Sequence, residues 1–96
     1  MKSPQIAKEL EEAAQKLGVR VRREKGSFRG GYCIRDGEEI LMLNKQHPPE
    51  IHVSVLAGAL RDLPIDTVFL RPAVREALEE AWERNAIPEL ETDGDA

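Results

Sequence analysis

The chain has 96 residues, 41% hydrophobic and 33% charged, with 14 basic against 18 acidic side chains. That length predicts a single domain, since domains run from about 50 to 250 residues, and the lone Cys33 excludes an internal disulfide framework and fits a reducing compartment. No apolar run approaches the ~20 residues of a membrane-spanning helix, and Met1–Pro4 leads into charge rather than an apolar leader, so a cytoplasmic domain with no membrane partner is expected.

The first predicted element is a helix with Ser3 as N-cap and Pro4 in the first turn, where a missing amide costs nothing. Ile6, Leu10, Ala13, Ala14 and Leu17 form its apolar stripe, and Gly18 ends it. Val19-Arg20-Val21-Arg22-Arg23 alternates apolar and basic, as a half-buried strand does. A glycine-rich connection from Glu24 to Gly31 leads to a second strand at Tyr32–Arg35. Asp36-Gly37 then forms a tight turn into Ile40–Leu43, whose unbroken apolar run places it centrally in the sheet. A helix opening at His47-Pro48-Pro49-Glu50 carries Ile51, Val55, Leu56, Ala59, Leu60 and Leu63 on its apolar face, and Pro64 stops it. Val68–Leu70 reads as a short fourth strand, and Pro72 starts a last helix with Val74, Leu78, Ala81 and Trp82 inward. The expected fold is α+β: a helix, a three-stranded antiparallel sheet of hairpin-linked neighbours, a helix, a short strand and a C-terminal helix over residues 1–84. Residues 85–96 form an acidic tail, predicted disordered, in which Glu89, Glu91, Asp93 and Asp95 have no accompanying base. The formal charge of −4 therefore resides in the tail, and the folded part is neutral.

Several groups invite a functional reading beside a plainer one. Arg20, Arg22, Arg23 and Arg29, with Lys25, form a basic cluster that could meet phosphates, with Phe28 as a stacking surface. The plainer reading is a solvated face whose charge deters edge-to-edge pairing, and it is preferred. Gly26, Gly30 and Gly31 match no phosphate-loop spacing, because a strand follows where a helix is needed. Cys33 is a candidate thiol site, with His47 or His52 as its base, against the reading of a small buried hydrophobe beside a loop histidine and an exposed helical one. His47 and His52 have a spacing that zinc fingers allow, but no C-x-x-C half accompanies them, so a metal role, for which three ligands can suffice, is the minor reading. Glu76, Glu79 and Glu80, with Arg75 and Arg84, read as a solvated helix face. Trp82 is a candidate interface anchor, set against ordinary core packing.

One pattern extends over much of the chain. Leu10-x-x-x-Ala14-x-x-Leu17-Gly18-Val19, Gly31-Tyr32, Ile40-Leu41-Met42-Leu43-Asn44 and Val55-Leu56-Ala57 together resemble the small gluzincin-type metallopeptidases, which include proteases of phage and stress-response repressors. The chain is also similar to short bacterial proteins of unknown function that share Gly30-Gly31-Tyr32-Cys33 and Pro72-Ala73-Val74-Arg75-Glu76. The resemblance implies a helix that carries H-E-x-x-H in the peptidases, where two histidines hold zinc and the glutamate activates water. Those positions fall here at Gly58, Ala59 and Asp62, so zinc proteolysis is not carried over, and no metal or other cofactor is implied.

The expectation is a non-catalytic binding or interaction module on a degenerate metallopeptidase-like scaffold, with a protein partner or a second copy as ligand. Nucleic-acid binding through Arg20–Arg29 is the first alternative and a cryptic enzyme built on Cys33 the second.

Overall fold

Three helices lie on one face of a three-stranded sheet in the computed structural model. The chain order is α1 (Ser3–Lys16), β1 (Arg20–Glu24), β2 (Gly31–Arg35), β3 (Glu38–Asn44), α2 (Pro49–Leu60), a 3₁₀ turn (Ile65–Thr67) and α3 (Pro72–Asp95). Residues 1–84 are described in full, together with the backbone of α3. The backbone of α3 runs on through Asp95; the side chains of residues 85–96, and with them the expectation of a disordered tail there, lie outside what is described.

The sheet is mixed, not antiparallel as the sequence suggested. Its order is β1-β3-β2, with β1 parallel and β2 antiparallel to β3. The apolar run of β3 does take the centre, and its demand for a neighbour on each side separates β1 from β2. Because β1 and β3 run in parallel, the connection from β1 to β2 must pass over the end of β3, where Glu24 is registered with Asn44. Asn44 holds that crossing. Its side-chain amide donates to the carbonyls of Gly26 (2.8 Å) and Phe28 (2.7 Å), and its Oδ1 accepts the Gln46 amide at 2.9 Å. Its own carbonyl accepts the His47 amide and the Nε2–H of His52, at 3.0 and 2.6 Å.

Side chains alternate across the sheet as the pleat requires. Val21, Leu41 and Leu43 face the helices, while Arg20, Arg22, Met42 and Cys33 lie on the outer face. α2 packs between α1 and α3 and covers β2 and β3, while α1 covers β1. Leu10, Leu41, Leu43, Leu56, Leu60 and Leu78 are completely buried where these layers meet. Far along the chain, Arg71 forks onto Glu9 and fixes the start of α3 against α1; this hydrogen bond holds the Glu9 carboxyl below its ordinary range.

Three local expectations change. Ser3 is the first residue of α1 rather than its cap; Lys2 precedes the helix and makes no side-chain capping bond. The C-terminus of α1 is as expected, with Gly18 and Val19 donating back to Gln15 and Ala14. Val68–Leu70 forms no strand. The preceding 3₁₀ turn, closed by Val68 N–H on Ile65 and Thr67 Oγ1 on Pro64, carries the chain past the sheet and leaves Phe69 exposed. α2 buries His52, Val53, Leu56, Ala57 and Leu60, so its buried face is turned from the expected one and Ile51 is exposed. A helix apolar on nearly all sides gives periodicity little to choose between.

Replacing Asn44 with alanine removes both donors that hold the crossing loop and one acceptor. The predicted loss is about 2–3 kcal/mol in urea unfolding, with Asn44→Asp no better because it sets carboxylate oxygens against two carbonyls. A loss below about 0.5 kcal/mol would remove Asn44 as the holding group.

Candidate binding cleft and sheet edge

An open cleft of about 900 Å³ separates the start of β2 from α2 and α3. Gly30, Gly31 and Tyr32 form one wall; Val55, Gly58, Ala59 and Leu63 form the floor; Trp82 closes an end. Arg29, Arg61 and Asp62 stand around it with no ion-pair partner among the described residues. The chain enters this wall tightly. Gly30 has φ +97°, and a Cβ there would sit 2.5 Å from the carbonyl oxygen of Met42. Only glycine lets the loop lie that close to β3. Gly58 differs: a Cβ on it would meet nothing within 4 Å, since it faces the cleft.

Tyr32 donates to Glu39 Oε1 at 2.5 Å across the β2–β3 pair, and this bond raises the phenol above its ordinary range. The phenol therefore stays protonated at neutral pH. Trp82 is half-buried, and its Nε1–H donates 2.7 Å to the Ala57 carbonyl of α2. Arg75, paired with Asp66 and Glu79, stands 5.9 Å from the centre of its ring. Trp82 thus joins helix packing to the cleft wall.

The hairpin fixes the direction of every backbone group on β2. Asp36 (φ +52°) and Gly37 (φ +78°) form the two-residue turn between Arg35 and Glu38, which are registered opposite each other. Such a turn makes its flanking pair a hydrogen-bonded one, and the pattern then alternates. Arg35, Cys33 and Gly31 bond to β3, so the N–H and C=O groups of Tyr32 and Ile34 point to the outer edge, where no strand lies among the described residues. Tyr32 is 40% and Ile34 66% exposed. The opposite edge is protected, since Arg20, Arg22 and Arg23 of β1 project from it beside Glu38, Glu24 and Glu11.

The structure therefore separates the basic cluster. Arg20, Arg22 and Arg23 each hold a carboxylate around β1, whereas Arg29 lies at the cleft with none. Cys33 is exposed on the outer face rather than buried, because it sits on an edge strand with no layer over it among the described residues. His52, expected exposed, is 5% exposed, since the turn of α2 directs it at Asn44. His47 is half-buried in the turn after β3. Cys33 is registered with Ile40, and the His52 contact lies at Asn44, about 13 Å further along the strand, so these two side chains do not converge. Among the described residues no group of three or more His, Cys, Asp and Glu side chains could hold a metal ion. Gly58, Ala59 and Asp62 line the cleft together.

Sequence reasoning missed the outward row at Tyr32 and Ile34 and the role of Asn44. The first carried a signal, because a two-residue Asp-Gly hairpin sets the phase of the ladder. Comparison with protein-family models, curated proteins and solved structures finds no match to this chain.

The two cleft glycines should respond oppositely. Gly30→Ala is predicted to cost about 2 kcal/mol or more, from its positive φ and the Met42 contact, whereas Gly58→Ala should stabilise by about 0.5–1 kcal/mol through helix propensity. Urea unfolding of both variants checks the contrast; equal losses would contradict it.

Proposed function

We propose that the domain is a non-catalytic interaction module that accepts an extended protein segment along the free edge of β2, with side chains of that segment entering the cleft. The observation that carries this reading is the outward row of backbone donors and acceptors at Tyr32 and Ile34, beside a cleft with an apolar floor and two unpaired arginines. An added strand obtains its affinity from such a row and its specificity from pockets for alternate side chains. The proposed scaffold is a relative of the gluzincin-type metallopeptidases, with the zinc-motif positions taken by Gly58, Ala59 and Asp62. In support, those residues line the floor and rim of the cleft, beside the central strand's edge neighbour. Replacing a ligand by Gly58 would leave room over α2 for a bound side chain.

Nucleic-acid binding through Arg20, Arg22, Arg23 and Arg29 has less support, since three of the four already face carboxylates. The Cys33 enzyme reading has less support, since His52 is held at Asn44, about 13 Å along the strand from the residue registered with Cys33.

Ile34→Pro separates these readings. It deletes an N–H aimed at the free edge, where proline is tolerated, and leaves the ladder to β3 intact. Short peptides selected from a displayed library on the full chain should bind wild type, with Trp82 fluorescence as readout. Affinity should fall at least about tenfold in Ile34→Pro at an unchanged melting temperature. Unchanged affinity would refute edge binding, and salt-dependent retention of oligonucleotides alone would favour the basic cluster.

A further inference from the structure

We infer that the segment accepted by β2 is β2 of a second copy of this chain, paired antiparallel about Cys33. This rests on the reading of the β2 edge as the binding edge and specifies its occupant.

Three features of the edge point to self-pairing. The first is hydrogen-bond phase. With Cys33 opposite Cys33 of the second copy, Tyr32 falls opposite Ile34 and Gly31 opposite Arg35. Tyr32 and Ile34 are the residues whose backbone groups point outward, so the two-fold arrangement closes four N–H···O=C bonds with none left over. Any register shifted by one residue would place inward-bonded groups against outward ones.

The second is the side chains. Tyr32 and Ile34 share the helix-facing side of the sheet, and in this register each aromatic lies beside a β-branched residue of the other copy. Such cross-strand pairs stabilise sheets, and both side chains are otherwise exposed, Tyr32 at 40% and Ile34 at 66%. Arg35 lies opposite Gly31, which has no side chain to crowd it.

The third is charge. Continuing the register beyond the strand brings the Asp36 turn of one copy beside Arg29 of the other. Neither has an ion-pair partner within its own chain among the described residues. Each two-fold contact therefore supplies two complementary pairs. The β1 edge offers no comparable fit, because its arginines would meet arginines.

The pairing has a chemical signature. Cys33 bonds inward to β3, so across the two-fold it forms a non-hydrogen-bonded pair with Cα atoms about 4.5 Å apart, within the range a disulfide spans. Loss of two electrons and two protons to an added oxidant such as diamide, itself reduced to the hydrazine, would join the two thiols. Two five-residue strands give a small interface, so the unlinked dimer is weak and reversible.

The test is sedimentation velocity of the reduced full chain from about 5 to 500 µM, a range suited to small interfaces. The expected result is a dimer fraction that grows with concentration in wild type and is absent in Ile34→Pro and Ile34→Lys, both folded by circular dichroism. Diamide should link wild type through Cys33 at least about tenfold faster than it links C33S/R35C, whose two thiols would sit about 13 Å apart along the strands. A monomer at every concentration, a dimer that survives Ile34→Pro, or equal linking rates would each overturn self-pairing. Library peptides that still bind wild type and not Ile34→Pro would then keep the edge reading, and their failure as well would remove both.

Discussion

The fold depends on one crossing, the passage of the chain from β1 to β2 over the end of β3. Six residues must span two strand spacings, about 10 Å, while their carbonyls lose contact with any strand. Asn44 supplies what they lack, two N–H donors at the point of crossing. It is 2% exposed, and its carbonyl is held in turn by His47 and His52. These contacts tie the loop, the end of β3 and the first turn of α2 into one junction. Asn44 and His52 are the only buried polar side chains described in residues 1–84. The junction also sets the cleft, because the loop it holds delivers Gly30 and Gly31 to the wall that faces α2.

Much of this was legible in the residues. Helical periodicity located α1 and α3, Asp36-Gly37 located the hairpin, and the unbroken Ile40–Leu43 run located the central strand. Strand order was not legible, since hairpin adjacency is the common case and nothing local in Glu24–Gly30 announces a crossing. The informative residue, Asn44, lies outside that loop by sequence, and its meaning depends on carbonyls sixteen and eighteen residues away. α2 shows a different limit. Its apolar residues surround the helix, so the buried face was settled by packing against α1 and α3, and His52 turned inward because a carbonyl awaited it.

The two edges of the sheet are built differently. On β1 the arginines lie among carboxylates, which neutralises a cluster that looked like a polyanion site and leaves a charged, well-hydrated border. On β2 the side chains are Tyr32, Cys33, Ile34 and Arg35, all exposed, with one charge at the hairpin end and no proline or bulge to deter a neighbour. An edge left in that condition is either a liability or a docking strand. The adjoining cleft, with its glycine floor and unpaired arginines, supports the second.

The account turns on β2 being bonded on one side and open on the other, in the phase fixed by its hairpin. Residue-resolved amide hydrogen exchange on a dilute sample reads this directly. Cys33 and Arg35 should be protected, with Tyr32 and Ile34 exchanging at least about tenfold faster. Uniform protection along the strand, or the reverse alternation, would contradict the assignment of the free edge.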